Sequence, residues 1–474
     1  RLAVGLGTAL AAGAIAGAGP CEGGSADGAG GATSSASTGG ASSSSATSSS
    51  STSGSGGLDC PEVEIERPAM IPEGWLPWTC WSTHPACVFW IAPDAEHMPE
   101  PVQWEPCVGA PLDDGVECER MSMPWEGDGF GKPIGDYPFV RTLADGTPVM
   151  SFTRLSRWAP PSQNGYFEHV VAEPDGPVRH AIRQARPYDA GCFFLSTDFR
   201  EGAAVLSVYG DHAPFSQESY NRDALMLAIT DQPGAPPTIP YFRPEDGKSS
   251  WWGGRDHVVR LSEAQRMTVH DHAMTWTENL IPNAVPEGNN RNGVVIDQGG
   301  AVFFTIDAGG HEGILVWDRT HGVRSFVQHV GDTSQGSANL GTDGVDLVWT
   351  HGEGRAPGEF AYPVRSVMTA KFTTDPAALQ PRRVRSDPST GMGGSIMEYS
   401  VGCGYASREA GNAGDVALVR LADGRGWYLA RTDTWRWNRP IGLSCEHLYM
   451  KSFDGRPFIS RIRLSSLGPG TPPD

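Results

Sequence analysis

The sequence predicts an all-β protein, a single β-propeller that spans residues 58–474, and three observations support this fold class. Short β-branched and aromatic runs alternate with Gly, Pro, Asp and Asn, and long helical periodicity is absent. Asp-Gly pairs, which suit tight hairpin turns, separate several of these runs: Asp145-Gly146, Asp175-Gly176, Asp423-Gly424 and Asp454-Gly455. The runs recur about every forty to sixty residues, a spacing typical of four-stranded propeller blades.

The starts of the strand-like runs indicate the number of blades. They lie near Cys80, Phe139, Cys192, His257, Val294, Leu340, Ser400 and Ile441. We expect seven blades, and six or eight also agree with this irregular spacing. The stretch 445–467 is typical of a final blade, and the run EVEIERP after Cys60 offers a strand that closes the ring. Because no second Ser/Gly-rich linker interrupts 58–474, we expect one domain.

Residues 1–20 have the features of a signal peptide that lacks its first residues. They are weakly apolar and rich in Ala and Gly, and the run is too short for a stable membrane-spanning helix. Small residues before Cys21 resemble a bacterial lipoprotein processing site, at which the cysteine is acylated after cleavage. Pro20 departs from that pattern, so ordinary cleavage after Ala16 or Ala18 is the alternative. The pattern favours Cys21 as a lipid anchor.

Residues 21–57 consist almost entirely of Ser, Gly, Ala and Thr. Since no apolar group there offsets the entropy of ordering the chain, we predict a disordered tether. Such a tether would hold the propeller away from a membrane that it contacts through the lipid alone. We therefore expect an extracytoplasmic protein, either anchored to the outer membrane or secreted.

The chain contains nine cysteines. Apart from Cys21 there are eight: Cys60, Cys80, Cys87, Cys107, Cys118, Cys192, Cys403 and Cys445. An even number in an exported chain predicts disulfides, and the absence of CxxC argues against zinc ribbons and thioredoxin-like chemistry. Three pairs are close enough in sequence to be plausible, but spacing leaves the connectivity open: Cys80–Cys87, Cys107–Cys118 and Cys403–Cys445.

The formal net charge of −19 and the pI near 5.1 argue against nucleic acid as a partner, because phosphate binding requires clustered Lys and Arg. The sequence also lacks the motifs GxSxG, GxxxxGK[ST], HExxH and DxDxDG. We therefore assign no catalytic residue and expect no cofactor. Carboxylate pairs of glycosidases are set by spatial arrangement, so sequence spacing does not test for them.

The segment MTVHDHAMTW (267–276) raises the question of a metal site. His270 and His272 are two residues apart, so in a strand they project from the same face, as in some zinc and copper sites. A third and a fourth ligand cannot be identified by spacing. We therefore treat both residues as weak metal candidates and expect ordinary strand-face or loop histidines.

Residues 349–365 read as the longest distinctive loop, and it is rich in polar groups. Binding groups concentrate on loops held by a rigid scaffold, so we predict ligand-binding roles for His351, Glu353, Arg355 and Arg365. The alternative is that Arg355 pairs with a nearby glutamate and merely holds the loop in shape.

Two further patterns have both a structural and a functional interpretation. The run PRRVRSD (381–387) predicts an edge strand protected by charge, with a stripe for an anionic polymer as the alternative. The Trp-rich runs GWLPWTCW, SSWWGG and TDTWRWNRP are expected to pack between blades, although exposed indole rings also suit sugars.

Three stretches resemble segments of uncharacterised secreted proteins from myxobacteria and related bacteria. They are PEGWLPWTCWSTHPACVFWIAPDAEHMPEPVQWEPC, GTDGVDLVWTHGEGRAPGEFAYPVRSVMTAKFTTDPAALQPRRVRSD and VGCGYASR. The Ser/Gly-rich tether after a cysteine is likewise similar to lipoproteins of those bacteria. The resemblance covers most of 58–474 and implies a propeller fold and an extracytoplasmic location, but no activity.

Together these observations favour a monomeric cell-envelope propeller that binds a protein or glycan partner without catalysis of its own. The alternative function is an extracytoplasmic polysaccharide hydrolase or lyase on a propeller scaffold. A third interpretation is a structural component of an envelope complex. Converging carboxyl groups and histidines on one face would favour the enzyme, whereas an apolar plug with a Trp-rich rim would favour binding.

Overall fold

A computed structural model gives the fold. Contacts between Cα atoms divide the chain into Arg1–Asp59 and Cys60–Asp474, and all described residues belong to the second unit. The structure describes residues 75–76, 88–91, 101–122, 138–142, 147–156, 166–185, 194–200, 203–211, 220–228, 241–244, 249–253, 256–262, 267–271, 276–281, 295–306, 313–328, 336–354, 363–386, 399–410, 414–455 and 457–473.

The strands are numbered in chain order. The first sixteen are β1 (Trp75–Leu76), β2 (Val88–Ile91), β3 (Gln103–Pro106), β4 (Cys118–Ser122), β5 (Phe139–Thr142), β6 (Pro148–Ser156), β7 (Tyr166–Ala172), β8 (Val178–Ala185), β9 (Phe194–Arg200), β10 (Ala203–Asp211), β11 (Tyr220–Ala228), β12 (Tyr241–Pro244), β13 (Ser249–Gly253), β14 (His257–Ser262), β15 (Met267–Asp271) and β16 (Thr277–Ile281).

The remaining described strands are β17 (Val295–Gln298), β18 (Ala301–Ile306), β19 (Gly313–Asp318), β20 (Gly322–Gln328), β21 (Gly336–Thr342), β22 (Asp346–Glu353), β23 (Val364–Lys371), β24 (Arg382–Ser386), β25 (Ser400–Gly402), β26 (Tyr405–Ala410), β27 (Asp415–Arg420), β28 (Gly426–Leu429), β29 (Arg436–Leu443), β30 (His447–Phe453) and β31 (Pro457–Arg463). Two 3-10 turns are described, Pro376–Ala378 and Leu464–Ser466. No helix in the described part of the chain is long and apolar enough to cross a membrane.

The described strands form seven antiparallel sheets. Four sheets consist of consecutive strands: β13–β16, β17–β20, β21–β24 and β25–β28. The other three each gain strands from the N-terminal part of the chain: β5–β8 with β2, β9–β12 with β1, and β29–β31 with β4 and β3. Each sheet is therefore built mainly from sequential hairpins, as the Asp-Gly turns predicted.

The sheets follow one another in a closed ring. The first strands contact each other from β5 through β9 to β13, and from β17 through β21, β25 and β29 back to β5. Between β13–β16 and β17–β20, Val259, Val269 and Phe304 lie in one shared core cluster. Radial four- or five-stranded sheets with their first strands innermost define a β-propeller. The predicted fold is confirmed, and the number of sheets lies within the expected range of six to eight.

The ring closes through an N-terminal strand. In the last sheet β31 pairs with β4, with Ile462 opposite Cys118 and Ser460 opposite Arg120. The run 62–68, which we expected to close the ring, lies outside the described residues, and β4 takes that position beside β31. An ion pair also joins these two strands, because Nε of Arg461 on β31 donates to a carboxylate oxygen of Glu119 on β4 at a distance of 2.7 Å.

Glycines allow the innermost strands to approach each other closely. A Cβ atom at Gly341 would lie 2.3 Å from the carbonyl oxygen of Tyr399, and one at Gly442 would lie 2.2 Å from that of Val140. Gly402 is packed similarly, 2.9 Å from the carbonyl oxygen of Leu443. Each glycine therefore lets the backbone of one sheet contact the next at a distance that no other residue permits.

The core lies between neighbouring sheets. Trp435 and Trp437, from the run TDTWRWNRP, are buried, and the ring of Trp435 packs against Phe458 with centroids 5.1 Å apart. These two tryptophans thus pack between blades, as expected, whereas the side chains of the other Trp-rich runs lie outside the described part of the structure. A buried pair, His257 and Asp297, also joins two sheets, with Nδ1 and Oδ1 3.0 Å apart.

Turns and disulfides follow several of the predicted patterns. Gly424 and Gly455 have φ values of 71° and 103° in the Asp-Gly turns before β28 and β31. The Asp145-Gly146 pair lies outside the described residues. Two of the plausible cysteine pairs are disulfides, Cys107–Cys118 and Cys403–Cys445. Four other cysteines lie outside the described part: Cys60, Cys80, Cys87 and Cys192.

Residues 382–386 of the run PRRVRSD form β24, the outermost strand of its sheet. Arg382 and Arg383 are exposed, whereas Val384 between them and Arg385 is buried. This is the charged edge strand that the sequence predicted.

Candidate functional site

The predicted binding loop is shorter than the sequence indicated. Strand β22 continues to Glu353 and β23 begins at Val364, so the connecting loop comprises 354–363. The reason is that Gly352 pairs with Arg365 across the two strands, which extends the ladder into the expected loop. We call the end of the ring that carries this loop, between Glu353 and Val364, the loop face.

The structure brings together two of the four predicted ligand-binding residues. Nε2 of His351 lies 3.0 Å from a carboxylate oxygen of Glu353, whose side chain is 55% exposed. Arg365 is half-buried on β23, and Arg355 lies outside the described residues. These residues remain predictions for the rim of a binding surface.

His270 is held by neighbouring hydroxyl groups. It is buried on β15, and its Nε2 and Nδ1 atoms lie 2.8 Å from the hydroxyls of Thr268 and Thr277. Burial, and then Arg260, lower the pKa of His270 to about 3, so the ring is neutral near pH 7. His272 lies outside the described residues. Among the described residues, no group of three or more His, Cys, Asp and Glu is placed to hold a metal.

A second cluster lies where the innermost strands begin, and the sequence did not point to it. We call it the axial cluster: Phe139, Arg141, Tyr399, Arg408, Glu409 and Arg439. Its members come from β5, β26 and β29 and from the residue before β25, so three successive sheets contribute to it. Because the second strand of a sheet ends where the first begins, the cluster lies toward the loop face.

Aromatic rings order the guanidinium groups of the axial cluster. Arg141 and Arg439 each place the guanidinium carbon 5.5 Å from the centre of the Phe139 ring. The guanidinium of Arg408, a buried residue, lies 5.6 Å from the centre of the Tyr399 ring. Guanidinium groups are attracted to aromatic faces at such distances, and the rings hold them in fixed orientations.

Charged groups of both signs meet among these described residues. Glu409 lines one cavity with Arg141 and Arg439, and the charges of Arg408 and Asp415 also act on it. Buried Lys451 lies directly opposite Arg439 on the neighbouring strand. Burial raises the pKa of Glu409, although the nearby Arg439 and Arg408 oppose that shift.

The space inside the cluster is small. A cavity of about 10 Å³ is lined by Phe139, Arg141, Tyr399, Ser400, Glu409, Arg439 and Pro440. That volume is enough for roughly one water molecule. The hydroxyl of Tyr399 continues the polar network, 3.1 Å from that of Thr350. The cavity is therefore too small to enclose a sugar ring, and a partner could reach the cluster only from outside it.

One sequence signal could have revealed the axial cluster. Arg141, Arg408 and Arg439 each lie within a strand, in the runs FVRT, YASREA and RWNRP. A charged residue inside such a strand indicates either an internal ion pair or a ligand site. The proximity of the three arginines arises from ring closure, which sequence spacing does not show.

Comparisons with known proteins add similarity in overall fold. No protein-family model matches the sequence, and no curated protein matches it. BamB from Moraxella catarrhalis is 12% identical, with 77% of this chain and 100% of that chain covered and a TM-score of 0.35. Putative TolB from Agrobacterium tumefaciens is 10% identical, with 53% and 89% covered and a TM-score of 0.29.

A third similar structure is the β-propeller domain of the Trilobed protease from Pyrococcus furiosus. It is 9% identical, with 60% of this chain and 97% of that chain covered and a TM-score of 0.28. At such scores the similarities carry no argument about what this protein does. The ring of sheets itself shows the propeller fold.

Proposed function

We propose that this protein is a lipid-tethered β-propeller of the cell envelope that binds a protein or glycan partner on its loop face. The axial cluster takes an acidic group of that partner, and His351, Glu353 and Arg365 contribute polar contacts at the rim. The observation that carries the proposal is that three sheets each bring an arginine to the axial cluster: Arg141, Arg408 and Arg439.

Charge supports an acidic group on the partner. The protein has a formal net charge of −19, so an acidic partner is repelled by most of its surface. Guanidinium groups brought together from three sheets give such a partner one place to bind, because guanidinium groups bind carboxylate, sulfate and phosphate in a bidentate manner. Repulsion elsewhere would then contribute to specificity.

Location outside the cytoplasm has two kinds of support. The signal-like start and the tether of residues 21–57 support export and anchoring at Cys21. The disulfides Cys107–Cys118 and Cys403–Cys445 support an oxidising compartment.

A binding array tests this function. The full chain is applied to sulfated, uronic-acid and neutral glycans and to acidic and neutral peptides. We expect acidic ligands to bind and Arg141→Gln/Arg439→Gln to weaken binding by about tenfold or more, since each lost charge-assisted contact removes about 1.5–3 kcal/mol. Arg382→Gln/Arg383→Gln, the same charge change on outer strand β24, serves as the matched control.

Two outcomes would contradict the proposal. One is unchanged binding by an axial variant that melts at the wild-type temperature. The other is loss of binding in the β24 control, which would assign recognition to the charged edge strand instead. Arg141→Lys/Arg439→Lys keeps the charge and so separates loss of charge from loss of fold.

The enzyme alternative has one observation in its favour, the raised pKa of Glu409 beside Arg439 and Tyr399. General acids need such a shift. However, glycosidases use two carboxyl groups, and among the described residues that line this cavity Glu409 alone carries one. Binding without catalysis is therefore the better-supported function.

A further inference from the structure

A short segment that follows the last sheet lies along the outer edge of the sheet before it. We call residues 468–473 the strap. It comes after the 3-10 turn Leu464–Ser466, and its residue Thr471 forms an antiparallel bridge with Gly426 on β28. Strand β28 is the outermost strand of the sheet β25–β28. The strap therefore covers a sheet edge at which a further strand could be added.

Backbone atoms of the strap make most of its described hydrogen bonds to this edge. The N–H of Thr471 donates to the carbonyl oxygen of Gly426 over 2.8 Å, and the N–H of Gly426 donates to the carbonyl oxygen of Thr471 over 3.0 Å. The carbonyl oxygen of Pro469 accepts from the guanidinium of Arg425 at 2.7 Å. Such contacts recognise an extended backbone and not a particular sequence, so another extended chain could make them as well.

The strap uses only part of the edge. The bridge between Thr471 and Gly426 is isolated, and Gly470 beside it has a φ of 67°, which is not an extended conformation. In a continuous antiparallel ladder the next residue of β28 to present its N–H and C=O outward is Tyr428, opposite position 469. Pro469 has no N–H to donate there. An extended segment with an N–H at that position could therefore pair with both Gly426 and Tyr428.

Most of the strap is exposed to solvent. Gly470 alone among residues 468–473 is half-buried, and it lies against the ring of Trp427, where a Cβ atom would be 2.8 Å from the ring. Segments with few buried contacts open at a small cost in free energy. We therefore expect the strap to open without unfolding of the sheet beneath it.

We propose that β28 is a strand-addition site covered by the strap, and that an extended segment of a protein partner replaces the strap there. The strap and the partner segment compete for the same backbone groups of Gly426, and the partner segment pairs with Tyr428 in addition. A second copy of this chain is a less suitable occupant, because the net charge of −19 opposes the association of two copies. The strap shares no residue with the axial cluster, so either site can fail without the other.

Fluorescence anisotropy with two labelled peptides and the full chain tests the strand-addition site. One peptide has the natural sequence of residues 466–473, and the other carries Pro469→Val in that sequence. The valine peptide supplies the N–H that the strap lacks opposite Tyr428. We expect it to bind an opened chain about tenfold more tightly than the natural peptide does, because it adds a pair of backbone hydrogen bonds.

Two variants open the strap in different ways. Gly470→Ala places a Cβ against Trp427 at a positive φ, and Thr471→Pro removes the N–H that donates to Gly426. Both should bind the valine peptide saturably and about tenfold or more tightly than the wild type, in which the strap competes for the site. Gly468→Ala, with no atom within 4 Å of its Cβ, is the matched control and should bind as weakly as the wild type.

Several results would overturn the inference. They are no saturable binding of the valine peptide by either opened variant, equal affinity of those variants for both peptides, and equal affinity of the valine peptide for the wild type and the opened variants. Loss of fold in both Gly470→Ala and Thr471→Pro would show that the segment is a structural part of the ring. Opened variants that sediment as dimers and take no peptide would assign the edge to a second copy instead.

Discussion

His270 gives the fold a pH dependence whose size can be worked out. The residue is 1% exposed, and its pKa in the folded protein is lowered from 6.5 to about 3, first by burial and then by Arg260. Between these values the unfolded chain binds a proton at His270 and the folded protein does not. The free energy of unfolding therefore falls as the pH drops below 6.5. At about pH 5 the loss is about 2 kcal/mol, since one pKa unit corresponds to about 1.4 kcal/mol.

Urea unfolding followed by tryptophan fluorescence at about pH 7 and about pH 5 measures this loss. Carboxyl groups also titrate, so the informative quantity is a difference between variants. His270→Gln keeps a donor and an acceptor for the hydroxyls of Thr268 and Thr277 but does not titrate, and we expect it to lose about 2 kcal/mol less than the wild type. Gly468→Ala, which changes no titratable group and meets no atom within 4 Å, should lose as much as the wild type. Equal losses in wild type and His270→Gln would refute the reasoning.

Three further predictions concern packing, oxidation and anchoring. Gly442→Ala should destabilise the protein by about 3 kcal/mol or more, because its Cβ would lie 2.2 Å from the carbonyl oxygen of Val140. Thermal unfolding checks this, with Gly468→Ala, where no atom lies within 4 Å, as the control that should melt near the wild-type temperature. Thiol counting on denatured, unreduced protein should find at most two free thiols outside Cys21. Mass spectrometry of the mature N-terminus in the native host should find a lipid on Cys21, and an uncapped N-terminus elsewhere would remove the anchor.

Much of the fold was predictable because hairpins are local. The Asp-Gly turns at Asp175, Asp423 and Asp454 join antiparallel strands that are adjacent in sequence. The spacing of forty to sixty residues between strand clusters corresponds to about two hairpins in each sheet. The expected strand starts at Phe139 and Ser400 coincide with first strands of sheets. Pairing between such neighbouring strands can be predicted without information on distant parts of the chain.

Long-range pairing explains what the sequence did not reveal. The run near Cys80 does not begin a sheet of its own, since β1 and β2 add to the outer edges of sheets formed by later strands. The strand beside β31 is β4, which local patterns could not distinguish from 62–68. The axial cluster depends on the same closure, because Arg141 meets Arg439 only after nearly three hundred intervening residues have completed the ring.

The central claim is that a partner binds on the loop face through the axial cluster. Two exposed valines at opposite ends of one sheet test it: Val364, 50% exposed beside the loop face, and Val345, 60% exposed in the turn at the other end. A photo-crosslinking residue is placed at each position in the native host. The account predicts a specific crosslinked adduct at Val364 that is absent at Val345 and is lost in Arg141→Gln/Arg439→Gln. An adduct at Val345 alone, or one at Val364 that persists in the arginine variant, would contradict it.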